Sequence, residues 1–186
     1  MKTNGAGALS DELFRRISAG DSAALEILYE QTHESLYGFA LSVLKNAYDA
    51  EDAVHDCFIA VRNNADSYRS FGKPLAWLYT ITKNLCLQQL RRKSKYTDFP
   101  EENKEEYLPD NKTLNPEDKA VLSACMNELS DSERQIVVLH AVSGLKHREI
   151  AGILDVPLST VLSKYHRAIK KLKKNFAIGG NRYEEN

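Results

Sequence analysis

The sequence HREIAGILDVPLSTVLSKYHRAIKKL, residues 147–172, determines the architecture of the C-terminal part of the chain. It predicts a short helix, a tight turn at residues 155–157 and a second helix that starts near Ser159. The residues of the first helix predicted to face inward are Ile150, Ala151 and Leu154. Two helices joined by so short a turn indicate a helix-turn-helix, whose second helix lies in the major groove of DNA.

The second helix of this motif carries the charge that DNA binding needs. From Lys164 to Lys174 there are six bases and no acid. At about 1.5 Å per residue the helix is roughly 25 Å long, which is enough to place its first turns in a major groove. The candidate contacts to bases and phosphates are Ser159, Thr160, Ser163, Lys164, Arg167 and Lys171. A helical hairpin in a bundle shows the same apolar spacing, but the run of bases favours DNA binding.

Helical spacing of apolar residues extends over most of the remaining chain. The predicted helices are 21–46, 49–64, 74–95, one that opens with Pro116, and one that follows the capping box Ser130–Glu133 and ends before Gly144. Asp21 and Asp49 are placed to cap the first two of these helices. Because nothing alternates clearly as a strand does, the predicted fold class is all-α.

Charge is strongly separated along the chain, although 25 Lys and Arg against 26 Asp and Glu give a net charge of only -1. Five bases and no acid lie from Lys83 to Lys95, whereas residues 98–118 hold eight acids and two bases. Residues 96–114 show no helical stripe, so they predict a flexible acidic linker. The predicted organisation is two small helical domains at 1–95 and 115–178, the linker between them and a tail at 179–186.

Composition excludes several classes of protein. The chain is 186 residues long and 42% hydrophobic, values typical of globular domains, and no apolar run approaches the roughly 18 residues that span a membrane. Cys57, Cys86 and Cys125 are an odd number without CxxC spacing, which argues against a disulfide framework and a zinc ribbon. No nucleophile motif or phosphate-binding loop occurs. The sequence therefore predicts a cytoplasmic protein that is not an enzyme and has no metal, other cofactor or small-molecule substrate.

Three stretches in this order carry a family resemblance. They are DAEDAVHDCFIAV (49–61), FGKPLAWLYTITKNLCLQQLRRKSK (71–95) and LSDSERQIVVLHAVSGLKHREIAGILDVPLSTVLSKYHRAIKKLKK (129–174). They resemble the core-binding helix of region two, the helix that melts and reads the minus-ten element, and region four of bacterial sigma factors. The resemblance is to the short extracytoplasmic-function (ECF) type of the sigma-70 family, which lacks the extra middle domain of larger sigma factors.

An acidic patch near the start of the second predicted helix fits the first of these roles. Its residues are Asp49, Glu51, Asp52, His55 and Asp56. Such a patch is suited to a basic helical surface, and the resemblance implies that this surface is the clamp coiled coil of core RNA polymerase. The alternative, acids that only complement the helix dipole, accounts for residues 49–52 but not for Asp56.

Aromatic and basic residues around the third predicted helix fit the second role, since trapped single strands are held by stacking and by cations. The resemblance implies contacts with minus-ten DNA from Tyr68, Arg69, Phe71, Lys73, Lys83, Asn84, Gln88, Arg91 and Arg92. Trp77 lies on the same helix, where packing in the core is favoured over stacking.

The resemblance implies a sigma factor that binds core RNA polymerase and promoter DNA, at the minus-thirty-five element through the helix-turn-helix and at the minus-ten element with melting. It also implies an anti-sigma factor as a partner, often one that is tethered to the membrane and would hold the protein there. The acidic linker either lies in a basic channel of the polymerase or is a solvated tether. Two other classes stay open: a stand-alone dimeric helix-turn-helix regulator and a protein-binding helical adaptor.

Overall fold

The computed structural model describes residues 9–68, 73–96 and 115–180, and the regular elements in these ranges are helical. The α-helices are α1 (Asp11–Ser18), α2 (Ser22–Leu44), α3 (Ala47–Asn64), α4 (Pro74–Tyr96), α5 (Pro116–Asn127), α6 (Asp131–Val137), α7 (His147–Leu154) and α8 (Leu158–Gly180). A short 3-10 turn at Ala65–Ser67 follows α3. The all-helical fold class is therefore confirmed. The predicted linker lies outside the described residues, apart from the end of α4.

The N-terminal unit, α1–α4, is organised around the contacts of α2 with α3 and α4. Asp21 caps α2 as predicted, because its Oδ1 accepts hydrogen bonds from the backbone N–H groups of Ala23 and Ala24, at 3.0 and 3.2 Å. Large apolar side chains and alanines alternate in the core, and the fully buried alanines let the helix backbones approach closely. These buried residues include Leu28, Leu36, Phe39, Val54 and Leu78 together with Ala24, Ala40, Ala50 and Ala53.

Helix α1 is an element that the sequence analysis missed. The Ser10 side chain caps it by accepting from the Leu13 backbone N–H at 3.3 Å. Phe14 is buried, and its ring lies 4.5 Å from the ring of Tyr68 and 5.6 Å from that of Trp77. Trp77 packs against the core, as the sequence favoured, with part of its surface exposed.

Three predicted helix boundaries are wrong. Helix α2 ends at Leu44 rather than at Asn46, because Lys45 has a left-handed backbone conformation. Helix α3 begins at Ala47 rather than after Asp49, because the Asn46 side chain accepts from the Asp49 backbone N–H at 2.9 Å and thereby caps the helix. Helix α8 continues to Gly180, whereas the prediction placed Gly179 and Gly180 in the tail. Glycine destabilises a helix less in its terminal turn than in its interior, because fewer hydrogen bonds depend on the terminal residues.

The C-terminal unit, α5–α8, depends on two charged side chains at the start of α6. The predicted capping box is present, with Ser130 Oγ accepting from the Glu133 backbone N–H and Glu133 Oε2 accepting from the Ser130 backbone N–H at 2.9 Å. The same carboxylate oxygen accepts from Lys171 Nζ of α8 at 2.7 Å. Glu133 is buried, and it joins the start of α6 to α8.

Buried Arg134 joins α6 to the end of α5. Its guanidinium Nε donates to the Met126 carbonyl oxygen at 3.1 Å, and Nη2 donates to the Leu129 carbonyl oxygen at 2.9 Å. These carbonyls belong to the end of α5 and to the turn that follows it, where backbone acceptors lack helical partners. Nη1 also lies 3.2 Å from Asp131 Oδ1. The positive charge thus closes the turn between α5 and α6.

Helix α6 widens at its C-terminal end into a π-helical turn, Val138–Val142. The turn stops at Ser143 and at Gly144, whose φ of +68° is left-handed and is best tolerated by glycine. The sequence predicted that either His140 or Val142 faces inward. His140 is half-buried, with its Nδ1 2.8 Å from the Leu145 carbonyl oxygen, whereas Val142 is exposed.

The two units touch through both polar and apolar side chains. Lys45 Nζ lies 2.8 Å from Asp131 Oδ1, and the hydroxyls of Tyr79 and Ser143 are hydrogen-bonded. Helix α4 also contacts α7, and the two helices line a cleft of about 300 Å³ that includes Trp77 and Ile153. The buried residues of the two units belong to one hydrophobic cluster, so apolar packing and polar contacts together join the units.

The three cysteines are free and buried. Burial raises the pKa of Cys57 to about 11, although the hydroxyl of Thr82 beside its sulfur partly opposes the rise. Burial, followed by the proximity of Cys57, raises the pKa of Cys86 to about 12. Both thiols are therefore protonated at neutral pH.

Glu133→Gln should keep the capping box and weaken the pair with Lys171. Burial alone would raise the pKa of Glu133, but Lys171 and the Ser130 donors outweigh it and hold the pKa below its ordinary value of 4.5. The carboxylate therefore stabilises the fold above pH 4.5, and this contribution is lost as the pH falls through the lower pKa of the folded state. We expect Glu133→Gln to lower the free energy of unfolding at pH 7 by about 1 kcal/mol in urea denaturation, since Lys171 is partly exposed to solvent.

Glu12→Gln is the matched control, because Glu12 forms an exposed pair with Arg15 on α1. Its effect should be close to zero. A Glu133→Gln protein as stable as the wild type at pH 7 would show that the pair with Lys171 contributes nothing.

Candidate polymerase and DNA interfaces

The predicted acidic patch on α3 divides into two groups. Asp49 pairs with Lys93 of α4, and Glu51 Oε1 lies 3.0 Å from His33 Nε2 of α2. These two carboxylates contact neighbouring helices of the same unit. Asp52, His55 and Asp56 are exposed and lie within about one turn of each other, so they form a narrower surface, the acidic face.

An apolar residue adjoins the acidic face. Ile59 is 45% exposed and follows Asp56 by three residues and His55 by four, so it lies on the same side of α3. Tyr29 of α2 is also exposed, and its ring lies 4.9 Å from that of Phe58. Neither residue was predicted from the sequence as part of this surface. Ile59 could have been found from the sequence, because it is an apolar residue that lies outside the core-facing side of α3.

Helix α4 presents polar and basic residues on an exposed stripe. Asn84, Gln88 and Arg91 follow one another at intervals of four and three residues and are exposed, as is Arg92. Lys83 is half-buried beside this stripe. The positive charge of the stripe increases toward the C-terminal end of α4, where cations also favour the helix dipole.

The predicted minus-ten loop is described only at its two ends. Tyr68 is half-buried, and its hydroxyl donates to Asp11 Oδ1 at 2.9 Å. Burial, and then the bond to Asp11, raises the pKa of Tyr68 to about 12. Lys73 Nζ lies 3.9 Å from Glu149 Oε1 of α7. The other two predicted loop contacts, Arg69 and Phe71, lie outside the described residues.

Helices α7 and α8 form a helix-turn-helix. Asp155 ends α7 with a left-handed φ of +55°, which aspartate tolerates better than most residues. The Pro157 carbonyl oxygen accepts from the Thr160 and Val161 backbone N–H groups at 2.9 and 3.2 Å, so α8 begins at Leu158. Val161 is fully buried, on the side of α8 that packs against the unit.

The inward side of α7 differs in part from the prediction. Ile150 is fully buried as predicted, whereas Ala151 and Leu154 are only half-buried and Ile153 is buried in their place. A helix of two turns has room for one apolar stripe, and Ile153 shares that stripe with Ile150 at an interval of three residues.

The exposed side of α8 is open to a ligand. Its residues line a shallow concavity, and we name them the recognition face: Ser159, Leu162, Ser163, His166 and Arg167. Three predicted DNA contacts lie on this face, namely Ser159, Ser163 and Arg167. Leu162 and His166 were not among the predicted contacts, although helical spacing from Ser159 and Ser163 places them on the same side.

The other predicted contacts of α8 lie on its flanks. Lys164 is half-buried, and its Nζ donates to Ser132 Oγ at 2.7 Å. Lys171 is bonded to Glu133 and Thr160 is half-buried. The run of six bases thus divides between cations that hold α8 against α6 and cations, such as Arg167, that face outward.

Two protein-family models match the chain. The model described as Sigma-70 region 2 matches residues 28–96, and the model described as Sigma-70, region 4 matches residues 119–172. The two models match the two helical units in the order expected along the chain. The chain belongs to the sigma-70 family. It is an ECF sigma factor, which directs promoter-specific transcription initiation with RNA polymerase and is not an enzyme.

Curated relatives agree with this sigma-factor assignment over most of the chain. The chain is 27% identical to the ECF RNA polymerase sigma factor SigK of Mycolicibacterium vanbaalenii over 176 residues, which is 90% of this chain and 89% of that protein. It is also 27% identical to SigK of Mycobacterium tuberculosis over 171 residues, which is 88% of this chain and 91% of that protein.

Two solved structures show the same fold. The structure of CnrH in complex with the cytosolic domain of CnrY has a TM-score of 0.61 at 22% identity and covers 90% of this chain and 97% of CnrH. The sigma factor RpoE in complex with the anti-sigma factor NepR, from Bartonella quintana, has a TM-score of 0.63 at 25% identity and covers 77% of this chain and 90% of RpoE.

Residues 9–68, 73–96 and 115–180 contain neither a metal-binding cluster nor a membrane-spanning helix. In these ranges no three His, Cys, Asp or Glu side chains are placed to hold a metal ion. In the same ranges no helix has the length and apolarity needed to cross a lipid bilayer.

Three aromatic rings of this sigma factor pack together where α7 and α8 meet the π-helical turn. The rings of His140 and His147 stack at 4.3 Å, and the Tyr165 ring of α8 lies 4.9 and 4.7 Å from them. Nε2 of His147 is buried and has no hydrogen-bond partner among the described residues. Burial, and then the proximity of His140, lowers the pKa of His147 below its ordinary value of 6.5.

Acid should therefore destabilise the C-terminal unit. Because the pKa of His147 is lower in the folded state, the unfolded chain binds the proton more readily below pH 6.5. Stability is fully present above that pH and is lost as the pH falls toward the pKa of the folded state. We expect the melting temperature to fall between pH 7.5 and 5.5, and to fall less in His147→Phe, which keeps an aromatic ring but cannot be protonated.

The control for this experiment is His55→Phe, an exposed substitution in the other unit, which should keep the wild-type pH dependence of the C-terminal unit. Equal pH dependence of His147→Phe and wild type would contradict the role of His147.

Proposed function

We propose that this sigma factor docks on core RNA polymerase through the acidic face of α3 and binds promoter DNA through α4 and α8. Residues 1–95 form the polymerase-binding and minus-ten domain, and residues 115–178 form the minus-thirty-five domain. The observation that carries the proposal is the separation of exposed charge. One unit exposes acids on α3 and bases on α4, and the other exposes the recognition face of α8.

The acidic face supports docking on a protein rather than on DNA, because its carboxylates would repel phosphates. Asp52 and Asp56 are exposed carboxylates, whereas Asp49 and Glu51 are already paired within the unit. Ile59 provides an apolar surface beside them. Charged residues around an apolar centre are the usual composition of a protein interface. The partner therefore presents a basic surface with an apolar residue in it.

The stripe of α4 supports contact with minus-ten DNA. Gln88 and Asn84 offer amide groups for base edges, and Arg91 and Arg92 offer charge for phosphates. The loop before α4 completes this interface with Tyr68, Arg69, Phe71 and Lys73. Since Tyr68 is held by Asp11 and Phe14, its ring has a fixed position beside the start of α4.

An anti-sigma factor is the proposed inhibitory partner. RpoE of Bartonella quintana, which shares this fold at 25% identity, was solved in complex with the anti-sigma factor NepR. The acidic face and the α4 stripe are the surfaces that such a partner must cover to prevent polymerase and DNA binding. We place the protein in the cytoplasm, and an anti-sigma factor with a membrane anchor would hold it at the membrane.

The test of the proposed function is in vitro transcription from a fragmented genomic library of the host, with core RNA polymerase in the presence and absence of the protein. We expect new transcripts whose templates share an upstream element and a minus-ten element. An absence of new transcripts, together with retention of particular DNA fragments without polymerase, would instead show a stand-alone regulator.

Asp52→Lys combined with Asp56→Lys should abolish co-purification with core polymerase, because both changes replace attraction to a basic surface by repulsion. Both residues are exposed, so the helical circular dichroism should stay unchanged. Glu12→Lys with Asp66→Lys changes the net charge equally on other exposed positions and should leave binding intact. Unaltered co-purification of the Asp52 and Asp56 variant would remove the acidic face from the interface.

Arg167→Gln should weaken binding of the holoenzyme to the upstream element and make its salt dependence shallower. Each phosphate contact that is lost reduces the slope of log affinity against log salt by about one. Titrations of a labelled promoter at several salt concentrations measure both effects. Arg15→Gln on α1 is the charge-matched control and should change neither. An unaltered affinity and slope for Arg167→Gln would exclude Arg167 from the DNA interface.

A further inference from the structure

Two leucines are exposed on α8, close to its polar contact residues. Leu158 is 37% exposed and Leu162 is 44% exposed, whereas Leu129, Leu139 and Leu145 of the same unit are buried. One exposed leucine would need no explanation. These two lie one helical turn apart in the first turns of α8, and Leu162 is part of the recognition face.

Packing within the protein does not account for these leucines. The side of α8 that faces the other helices is marked by Val161 and Ala168, which are fully buried. Leu162 lies away from that side and shares the concavity with Ser159, Ser163 and Arg167. Leu158 lies at the edge between the two sides, three residues before Val161, and is 37% exposed. Whatever ligand occupies the concavity therefore meets an apolar group beside hydroxyl and guanidinium donors.

The major groove offers one apolar feature that matches this arrangement. Base edges there present hydrogen-bond donors and acceptors, and the 5-methyl group of thymine is the apolar exception. Leucine side chains that point into the groove can bury that methyl group, which hydroxyl and guanidinium groups cannot do favourably.

We propose that Leu162, together with Leu158, is a specificity-determining residue that reads the 5-methyl groups of thymine in the upstream promoter element. The inference rests on the proposed function, in which α8 lies in the major groove of that element. Four residues of helix span about 6 Å, which is close to two base steps of about 3.4 Å. The two leucines therefore reach methyl groups about two base steps apart, while Arg167 is suited to a guanine or a phosphate nearby.

Replacement of single thymines by deoxyuridine tests this inference, because it removes a methyl group and leaves the Watson–Crick pairing and hydrogen-bonding groups intact. The probes are duplexes that carry the upstream element found by transcription, with one thymine replaced at a time. Competition binding to holoenzyme made from core polymerase and the full chain measures the affinity. We expect about a threefold to fivefold loss at one or two positions and no loss elsewhere. If no position responds, the inference is overturned.

Leu162→Ala assigns the effect to the side chain. At the responding position the ratio of thymine to deoxyuridine affinity should fall toward one in this variant. Leu90→Ala, which shortens an exposed leucine on α4, should keep the wild-type ratio at the upstream element. Leu162 is exposed, so thermal unfolding should confirm that the variant is folded. A full thymine preference in folded Leu162→Ala would overturn the inference.

Arg167→Gln in the same assay separates this inference from the proposed function. If Arg167→Gln weakens binding to the upstream element but no deoxyuridine substitution does, α8 binds that element and the leucine inference alone is wrong. If neither Arg167→Gln nor any deoxyuridine substitution changes affinity, the placement of α8 in the groove is wrong as well.

Discussion

The buried carboxylate of Glu133 is the interaction on which the DNA-binding unit depends. One oxygen accepts from the backbone and hydroxyl of Ser130 and from Lys171 of α8, so it fixes the start of α6 and the position of α8 together. Arg134, the next residue, closes the turn after α5. Two adjacent charges of opposite sign thus orient three helices. Because each is buried with several partners, an apolar residue at either position would leave polar groups unsatisfied.

This arrangement explains why the basic run of α8 serves two purposes. Lys164 and Lys171 face α6, where they bond to Ser132 and Glu133, and Arg167 faces outward. The acidic patch on α3 divides in the same manner, since Asp49 and Glu51 pair within the unit and Asp52 and Asp56 stay exposed. In both helices the periodicity of 3.6 residues separates charges that hold the fold from charges that are available to a partner.

Much of the fold could be predicted from sequence, because long amphipathic helices with capping residues carry strong local signals. Asp21, Pro74 and the capping box at Ser130 identified three helix starts, and the helix-turn-helix followed from the turn at 155–157. Helix α1 was missed although its sequence carries the signal, since Ser10 is a capping residue and Leu13, Phe14 and Ile17 share one face. The division of the charges on α3 and α8 into paired and exposed ones could not be predicted, since it depends on which helix packs alongside. A sequence shows which residues share one side of a helix, but it does not show which neighbouring helix packs against that side.

The buried thiols allow local opening of this sigma factor to be measured by chemical labelling. A thiol with a pKa near 11 or 12 reacts negligibly with alkylating reagents at neutral pH, and burial also blocks access to Cys57 and Cys86. Cys125 is buried in the other unit. Alkylation of Cys57 and Cys86 therefore reports the opening of α2–α4, whereas alkylation of Cys125 reports that of α5–α8. The rates at which the unaltered chain is labelled, measured by mass spectrometry, would rank the local stabilities of its two halves.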